Sequence, residues 1–224
     1  MTDTDTNYEA QRKQMVDQIS LHADFVSKET KKATLAPKVL DAIRSVPRHE
    51  YVPVELRSFA YLDTPLPIGY GKTISQPFIV ALMTDLLEPQ PGDCVLEVGT
   101  GLGYQSAILA GLVRQVYTVE IVEELARDAE RRLRGHGYAN IEFAIGDGSG
   151  GWPQHAPFEK IVVTAAPELI PAALLNQLKP QGRMVIPAGI ESAQQLMLVT
   201  KDSQGRTTVT EILPVRFSTL ATEP

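Results

Sequence analysis

The stretch Leu96-Glu-Val-Gly-Thr-Gly-Leu-Gly-Tyr104 decides the fold class of this sequence. It continues an apolar run over 94–98 with the length and composition of a buried strand, and a helical pattern begins at Tyr104. Glycine at 99, 101 and 103 removes side chains from the connecting turn, so a ligand can lie against backbone N–H groups near a helix start. The sequence therefore predicts a ligand-binding turn between a strand and a helix.

The glycine spacing and two later acids narrow the chemistry of the ligand. The pattern is G-x-G-x-G, whereas dinucleotide-binding turns have G-x-G-x-x-G, and no Lys-Ser or Lys-Thr pair follows as in a Walker loop. Glu120 ends the next predicted strand, where a carboxylate can accept hydrogen bonds from both ribose hydroxyls. Asp147, in the Gly-Asp-Gly sequence 146–148, is placed to meet an adenine. The combination favours a ligand that contains adenosine. A dinucleotide-binding turn and a Walker loop are both less well supported.

Strands and helices alternate after this turn and before it. Helices are predicted over 78–87, 104–112, 123–134 and 171–178, and strands over 94–98, 116–120, 141–145, 160–164 and 183–187. Such alternation implies right-handed βαβ units and a mostly parallel sheet with helices on both faces. Apolar runs over 195–200 and 207–213, with a turn between them, predict a hairpin that adds an antiparallel edge. The predicted fold class is α/β.

The first 77 residues have a different organisation. Helices are predicted over 8–26, where apolar residues recur at helical spacing, and over 37–46, which begins with a proline. Five prolines and two glycines between 47 and 77 break regular structure, although the segment is too apolar for a solvated linker. We expect residues 1–77 to form a helical and irregular extension on the substrate side, packed as one unit with a cofactor-binding domain over 78–224.

Composition excludes several classes of protein. The 224 residues carry 21 Lys and Arg against 27 Asp and Glu, a net charge of −6, which disfavours a nucleic-acid partner. The single cysteine, Cys94, has no Cys/His cluster around it, which argues against a disulfide framework and a metal site. No apolar run approaches about 18 residues, and the first residues do not have the pattern of a signal peptide. We expect a cytoplasmic protein with no membrane partner.

A family resemblance is carried by motifs in collinear order. The acid-x-Gly-x-Gly-x-Gly motif over 97–103 and the strand-terminal Glu120 are similar to two motifs of class I S-adenosylmethionine-dependent methyltransferases. A narrower resemblance is carried by 46–52, 66–69, 73–77, 146–148, 163–167 and 178–189. Thr-Ile-Ser-Gln-Pro over 73–77 is the most specific of these segments, because generic methyltransferases lack it. Together they resemble the protein-L-isoaspartate O-methyltransferase family.

The resemblance implies a fold, a cofactor and a reaction. The fold is a Rossmann-like class I methyltransferase domain, with a mostly parallel sheet, an antiparallel edge and helices on both faces. The cofactor is S-adenosyl-L-methionine, which leaves as S-adenosyl-L-homocysteine. The reaction is methylation of the free carboxylate of L-isoaspartyl residues, which form when Asn deamidates or Asp isomerises. The expected partners are isoaspartyl-containing proteins and peptides, and the oligomeric state stays open.

The resemblance also implies roles for individual residues. Ser75 matches the active-site serine of the family. The residues expected to bind the cofactor are Thr73, Ile74, Glu97, Gly99, Thr100, Gly101, Gly103, Glu120, Asp147 and Gly148. The loop with Thr164, Ala165 and Ala166 is expected to form a groove for a flexible peptide together with segment 47–77.

Simpler roles compete with these assignments. The glycines can serve turn geometry alone, Glu97 can neutralise the start of the adjacent helix, and Ser75 can be only the N-cap of the helix that begins near Pro77. Two other functions also stay open. One is methyl transfer to a different carboxylate or to a small molecule, and the other is S-adenosylmethionine binding without catalysis.

The sequence departs from the family pattern at two places near the expected site. Lys72 stands where many members carry Gln before Thr-Ile-Ser, which puts a cation beside the acceptor site. We expect it to attract the carboxylate of the substrate or to alter selectivity. Residues 217–220 read Phe-Ser-Thr-Leu where Phe-Val-Pro-Leu is more usual, which changes the contacts expected from the C-terminal segment.

Overall fold

A seven-stranded sheet with helices on both faces forms the centre of the computed structural model, which describes residues 3–222. The helices are α1 (Asp3–Phe25), α2 (Ser27–Thr30), α3 (Pro37–Ser45), α4 (Pro77–Leu87), α5 (Tyr104–Ala110), α6 (Glu123–Gly135) and α7 (Ala172–Gln177). The strands are β1 (Leu66–Gly69), β2 (Lys72–Ile74), β3 (Cys94–Val98), β4 (Gln115–Glu120), β5 (Ile141–Ile145), β6 (Phe158–Val163), β7 (Leu178–Ile190), β8 (Ala193–Lys201) and β9 (Thr207–Val215).

The large sheet confirms the predicted α/β architecture. Its strand order is β5-β4-β3-β6-β7-β8-β9. Strands β3 to β7 pair in parallel, whereas β8 is antiparallel to both β7 and β9, which is the predicted antiparallel edge. The chain runs from β3 outward to β4 and β5 and then returns to place β6 on the other side of β3. The strand order therefore reverses between β3 and β6.

Successive side chains of the strands point to opposite faces of the sheet and belong to two hydrophobic clusters, one on each face. Val95 and Val116 belong to the larger cluster, which includes buried residues of α1, α3, α4, α5 and α6. Leu96 and Val98 belong to the second cluster, which α7 joins through Leu174. The larger cluster is continuous from α1 to the sheet, so the N-terminal helices share one hydrophobic core with the α/β domain. The boundary at residue 77 stays a prediction.

The prediction of an irregular segment over 47–77 needs correction. Residues 66–74 form an antiparallel hairpin, in which β1 pairs with β2, and two short 3-10 turns precede it at Arg48–Tyr51 and Val54–Phe59. The hairpin strands are four and three residues long, and β1 contains Pro67. Such short strands show too few alternations for a period-two pattern to be recognised. The hairpin turn is possible because Gly69, Tyr70 and Gly71 all adopt positive φ.

Strand β7 is longer than the predicted 183–187. It begins at Leu178, which pairs with Phe158, and its register then shifts before Lys160 pairs with Arg183. The Pro-Gln-Gly sequence 180–182, which indicates a turn in the sequence, lies in this irregularity. A bulge is one of the few places where a strand accepts proline.

The start of α4 is fixed by Asp63, an acid from the preceding irregular segment. The Phe78 backbone N–H donates to Asp63 Oδ1 at 2.8 Å, and Gln76 Nε2 donates to Asp63 Oδ2 at 3.0 Å. His22 Nδ1 of α1 lies 2.9 Å from the same Oδ2, and the His22 ring stacks on Phe78. Asp63 thus supplies a capping bond from outside the helix, and it links α1 to the backbone that directly follows residue 75.

No helix within residues 3–222 has both the length and the apolarity needed to cross a bilayer. The cytoplasmic location stays a prediction.

The Asp63→Ala variant tests the role of this carboxylate in stability. The substitution leaves the Phe78 amide and the His22 ring without their acceptor, so we expect the free energy of unfolding to fall by about 1–3 kcal/mol. Urea-induced unfolding followed by circular dichroism measures the change. Asp41→Ala is the matched control, because Asp41 is exposed and pairs with Arg44 on the surface. Equal losses in the two variants would contradict the role assigned to Asp63.

Candidate active site

A cavity of about 920 Å³, including its open mouth, lies at the carboxyl ends of β3, β4 and β6. Residues 98–102 after β3, Glu120 at the end of β4 and Thr164 after β6 form its floor. The cavity therefore lies where the strand order reverses, which is where open parallel sheets bind their ligands.

Elements outside the sheet form the remaining walls of this cavity. The contributing side chains come from the β1–β2 hairpin, from α4 and α5, and from the C-terminal segment. They include Ile68, Lys72, Thr73, Ile74, Ser75, Val80, Met83, Tyr104, Gln105, Phe217, Ser218, Leu220 and Ala221. The C-terminal segment is tied to the loop after β6, because the Ala166 N–H donates to Ser218 O and the Leu220 N–H donates to Ala166 O, both at 2.9 Å.

The glycine turn is held in place by hydrogen bonds to both neighbouring strands. The Gly99 N–H donates to Val119 O at 2.8 Å, and Thr164 Oγ1 donates to Gly99 O at 2.7 Å. A Cβ atom on Gly99 would lie 2.2 Å from Thr164 Oγ1, and φ of Gly99 is +95°, so only glycine fits here. Thr100, also in the cavity wall, shares a 2.6 Å hydroxyl bond with Thr118 of β4. The backbone of the turn consequently faces the cavity in a fixed conformation.

Glu120 connects the glycine turn to the end of β4. Its Oε2 accepts the Gly101 N–H at 2.8 Å, and its Oε1 accepts the Val122 N–H at 3.0 Å. The side chain is largely buried, yet it lines the cavity. Each carboxylate oxygen has a second lone pair, so two hydroxyl groups of a ligand can still donate to it.

Gly103 has a packing role in the structure and lies outside the cavity wall. It occupies the N-cap position of α5 with φ of +92°. A Cβ atom there would lie 2.7 Å from Leu133 Cδ1 and 3.5 Å from Ala129 Cβ, both on α6. The third glycine of the motif therefore permits close packing of α5 and α6.

Glu97 is also placed beneath the glycine turn instead of in the cavity wall. Thr118 Oγ1 donates to its Oε2 at 2.7 Å, and Ser106 Oγ bonds to the same oxygen. Its Oε1 is buried and has no hydrogen-bond partner among the described residues. Burial raises the pKa of Glu97 to about 7, although the bonds from Ser106 and Thr118 act in the opposite direction.

The loop after β5 brings Gly148 into the cavity wall. A Cβ atom on Gly148 would lie 2.4 Å from Val98 Cγ1, so this backbone also needs glycine for its close approach to β3. Asp147 lies beside it, outside the wall, and its Oδ1 accepts the Ser149 N–H at 2.8 Å. Of the two residues predicted to contact adenine, Gly148 therefore lines the cavity, whereas Asp147 uses one carboxylate oxygen in a local turn.

A second groove, of about 820 Å³, meets the cavity at Ser75. It is lined by Pro65, Thr73, Ser75, Gln76, Ile79, Pro214, Val215, Arg216 and Phe217. Thr73, Ser75 and Phe217 line both spaces. The Ser75 hydroxyl has no hydrogen-bond partner among the described side chains and backbone of residues 7–222. It does not cap α4, since Gln76 occupies the N-cap position and makes no side-chain capping bond.

The 164–166 loop does not belong to the described lining of the groove, and its expected role in binding a peptide stays a prediction. Thr164 and Ala165 line the cavity, and Ala166 is 2% exposed and bonded to the C-terminal segment. The bonds of Thr164 Oγ1 to Val98 O and Gly99 O turn the loop toward the cavity. The groove is instead formed by segment 65–79, within and just beyond the predicted 47–77, and by the C-terminal segment.

Arg48 supports the backbone at Ser75 from within the core. Its Nη2 donates to Ser75 O at 2.8 Å, and its Nε donates to Ala60 O at 2.9 Å. The side chain is fully buried, and its guanidinium carbon lies 4.9 Å from the centre of the Tyr104 ring. Burial lowers the pKa of Arg48 to about 10, so the group is still charged at neutral pH. Sequence reasoning missed this residue, although an arginine within a packed, proline-rich segment is a signal of a buried charge.

Comparison with known proteins identifies the family. The family model of protein-L-isoaspartate(D-aspartate) O-methyltransferase matches residues 20–223. This chain belongs to that family. It is 57% identical to protein-L-isoaspartate O-methyltransferase 1 of Polaromonas sp. strain JS666, over 98% of this chain and 93% of that protein. It is 55% identical to protein-L-isoaspartate O-methyltransferase 2 of Syntrophobacter fumaroxidans, over 95% of this chain and 87% of that protein.

Solved structures show the same fold. A protein-L-isoaspartate O-methyltransferase matches with a TM-score of 0.80 at 25% identity, over 94% of this chain and 66% of that one. A Plasmodium falciparum protein described as a putative member of the family, in complex with S-adenosyl-L-homocysteine, matches with a TM-score of 0.78 at 21% identity, over 95% of this chain and 99% of that one.

Family membership confirms the main predictions from the sequence. These are the class I methyltransferase fold, S-adenosylmethionine as the cofactor, and methyl transfer to isoaspartyl residues. The roles of individual residues stay predictions. Residues that sequence reasoning did not place in the site include Tyr104 and Gln105, because their approach depends on how α5 packs.

The pH dependence of stability tests the state of Glu97. Its pKa is about 7 in the folded chain against an ordinary value of 4.5, so the folded chain holds this proton more tightly than the unfolded chain. This contribution is fully present below pH 4.5 and is lost as the pH rises toward 7. We expect the stability of the wild type relative to Glu97→Gln to fall by roughly 3 kcal/mol over that interval.

Urea unfolding of wild type and Glu97→Gln at half-unit steps from pH 4.5 to pH 8 measures this difference. Glu55→Gln is the control, because Glu55 is exposed and should leave the slope unchanged. Parallel stability curves for wild type and Glu97→Gln would show that the buried carboxyl group does not titrate in this range.

Proposed function

We propose that this chain methylates the free carboxylate of L-isoaspartyl residues in damaged proteins by holding it next to the methyl group of S-adenosylmethionine at Ser75. The observation that carries the proposal is the position of Ser75, which lines both the cavity under the glycine turn and the separate groove. One space is suited to the cofactor and the other to a peptide, so the residues between them are where methyl transfer can occur.

The cavity at the glycine turn fits the cofactor in its chemistry. Gly99 and Gly148 both line the cavity, and a Cβ atom on either would clash with Thr164 or with Val98, so glycine lets the backbone itself form this part of the wall. Glu120 would accept the ribose hydroxyls, and Gly148 with Asp147 would contact the adenine. Thr73, Ile74, Gly101 and Thr100 would complete the binding site. When bound, the cofactor supplies a methyl group that its sulfonium charge has already activated.

The reaction needs placement more than acid–base chemistry. A carboxylate with a pKa near 4 is ionised at pH 7, so no general base has to remove a proton. A carboxylate oxygen forms a bond to the methyl carbon while the carbon–sulfur bond breaks, and its electron pair stays on sulfur. The products are the methyl ester and S-adenosylhomocysteine. Holding the reacting atoms about 3–3.5 Å apart in line can supply several kcal/mol of acceleration.

Ser75 is suited to orient the acceptor carboxylate. Its hydroxyl is free to donate a hydrogen bond, and its backbone is fixed by Arg48 on one side. Asp63 fixes the next residues at the start of α4. A backbone held in this way loses little conformational entropy at the moment of reaction, so only the short serine side chain has to be ordered.

The groove favours a peptide over a small carboxylic acid as the acceptor. Ile79, Pro214 and Val215 give it apolar walls, and Arg216 adds a cation. No acidic side chain belongs to its described lining. A groove with apolar walls and one cation suits an extended peptide that carries a carboxylate.

A methylation assay with matched acceptors tests the function. The purified protein is incubated with radiolabelled S-adenosylmethionine and with an isoaspartyl peptide, its normal aspartyl counterpart, or acetate and succinate. We expect labelling of the isoaspartyl peptide at least about 100-fold faster than of the others, a ratio within reach of differential transition-state binding. Comparable rates on the small acids would favour a small-molecule methyltransferase. Cofactor binding without any transfer would indicate a catalytically silent module.

The Ser75→Ala variant tests the orienting hydroxyl. We expect turnover on the isoaspartyl peptide to fall about 100-fold, the usual cost of removing one aligned donor at a reacting centre. The dissociation constant for S-adenosylhomocysteine, measured by calorimetry, should stay within about twofold of wild type. Ser45→Ala is the control, since Ser45 is exposed at the end of α3. Unchanged turnover for Ser75→Ala would remove the proposed role.

A further inference from the structure

The cavity and the groove each have one cationic side chain in their described lining. Lys72 on β2 lines the cavity under the glycine turn and does not belong to the groove lining. Arg216 after β9 lines the groove and does not belong to the cavity lining. The sequence had suggested that Lys72 stands beside the acceptor. In the structure Lys72 lines the cavity assigned to the cofactor and does not line the groove.

The charges around the cavity leave Lys72 without a protein partner. The charged side chains of the described lining are Lys72 and Glu120. Glu120 accepts backbone N–H groups from Gly101 and Val122 with its two oxygens. No acidic side chain among the described side chains of residues 7–222 forms an ion pair with Lys72, which is partly buried. A partly buried ammonium gains more from an anionic partner than one in bulk water does.

The cofactor offers one group that matches this ammonium. S-adenosylmethionine carries a sulfonium, an α-ammonium and a single carboxylate, and only the carboxylate attracts a cation. We propose that Lys72 binds the carboxylate of the methionine moiety and is therefore a specificity residue for the cofactor. The inference rests on the proposed function only in its choice of ligand, because it concerns binding and not transfer.

Arg216 explains why Lys72 is not needed for the acceptor. It is exposed, it lines a groove whose described lining contains no acid, and Thr73, Ser75 and Phe217 separate that groove from Lys72. A substrate carboxylate that enters through the groove meets Arg216 and the Ser75 hydroxyl first. The two carboxylates of the reaction, one on the cofactor and one on the acceptor, would thus each have their own cation.

The test compares two ligands that differ in one carboxylate. Dissociation constants are measured by calorimetry for S-adenosylhomocysteine and for its decarboxylated analogue, with wild type, Lys72→Gln and Lys72→Arg. We expect Lys72→Gln to weaken S-adenosylhomocysteine about tenfold, the change expected for loss of one ion pair worth about 1.4 kcal/mol. The decarboxylated analogue should bind wild type and Lys72→Gln equally. Lys72→Arg should restore most of the affinity for S-adenosylhomocysteine.

The dependence of affinity on ionic strength and two control variants test whether the effect of Lys72 is electrostatic and local. The affinity of wild type for S-adenosylhomocysteine should fall as ionic strength rises, and that of Lys72→Gln should change less. Lys13→Gln makes the same change of net charge at an exposed position on α1 and should leave both constants unchanged. Arg216→Gln should raise KM for the isoaspartyl peptide without changing the binding of either nucleoside.

Three outcomes would overturn the proposal. They are equal loss for both ligands in Lys72→Gln, no loss for either, and a change confined to KM of the isoaspartyl peptide. These measurements use no acceptor except in the last case. A failure of the methylation assay would therefore leave the assignment of Lys72 intact, and a failure here would leave the isoaspartyl activity intact.

Discussion

The turn after β3 is hydrogen-bonded to strands on both sides, and the geometry of the site depends on this constraint. Gly99 receives a bond from Thr164 of the β6 side and donates to Val119 of β4, while Gly101 donates to the Glu120 carboxylate. The turn cannot shift without breaking bonds to two strands of the central sheet. A binding surface made of backbone atoms is rigid only under such conditions, because it has no side chains of its own to pack.

The N-terminal extension supplies the second constraint, at Ser75. Arg48 binds the carbonyl oxygen of Ser75 itself, and Asp63 binds the Phe78 amide three residues later. Both side chains come from the segment between α3 and β1. Burying the Arg48 charge costs free energy, as its lowered pKa shows. The cost is offset by bonds to two carbonyl oxygens and by the Tyr104 ring. The extension therefore does more than enlarge the core, since it determines where the hydroxyl of Ser75 lies.

The strands could be predicted because their sequence patterns are local, whereas much of the site could not. Strand β5 has the predicted bounds, and β3 begins and ends where the apolar run does. The β1–β2 hairpin was missed because four- and three-residue strands carry little periodic signal. The contacts of Arg48 with Ser75 cross 27 residues of sequence, and no local pattern encodes them. The packing role of Gly103 likewise depends on Leu133, which only the fold brings near.

The distribution of charged side chains around the site suits a reaction in which two opposite charges neutralise each other. A sulfonium and a carboxylate react to give a neutral thioether and a neutral ester, so the transition state is less polar than the reactants and is favoured where water is scarce. The three residues that line both spaces, Thr73, Ser75 and Phe217, are uncharged. Lys72 and Glu120 line only the cavity, and Arg216 only the groove. A fixed charge at the junction would stabilise one separated ion of the ground state and raise the barrier. The chain instead keeps its charged side chains away from the junction, where they would bind the ends of the two reactants, and has a neutral hydroxyl at the junction.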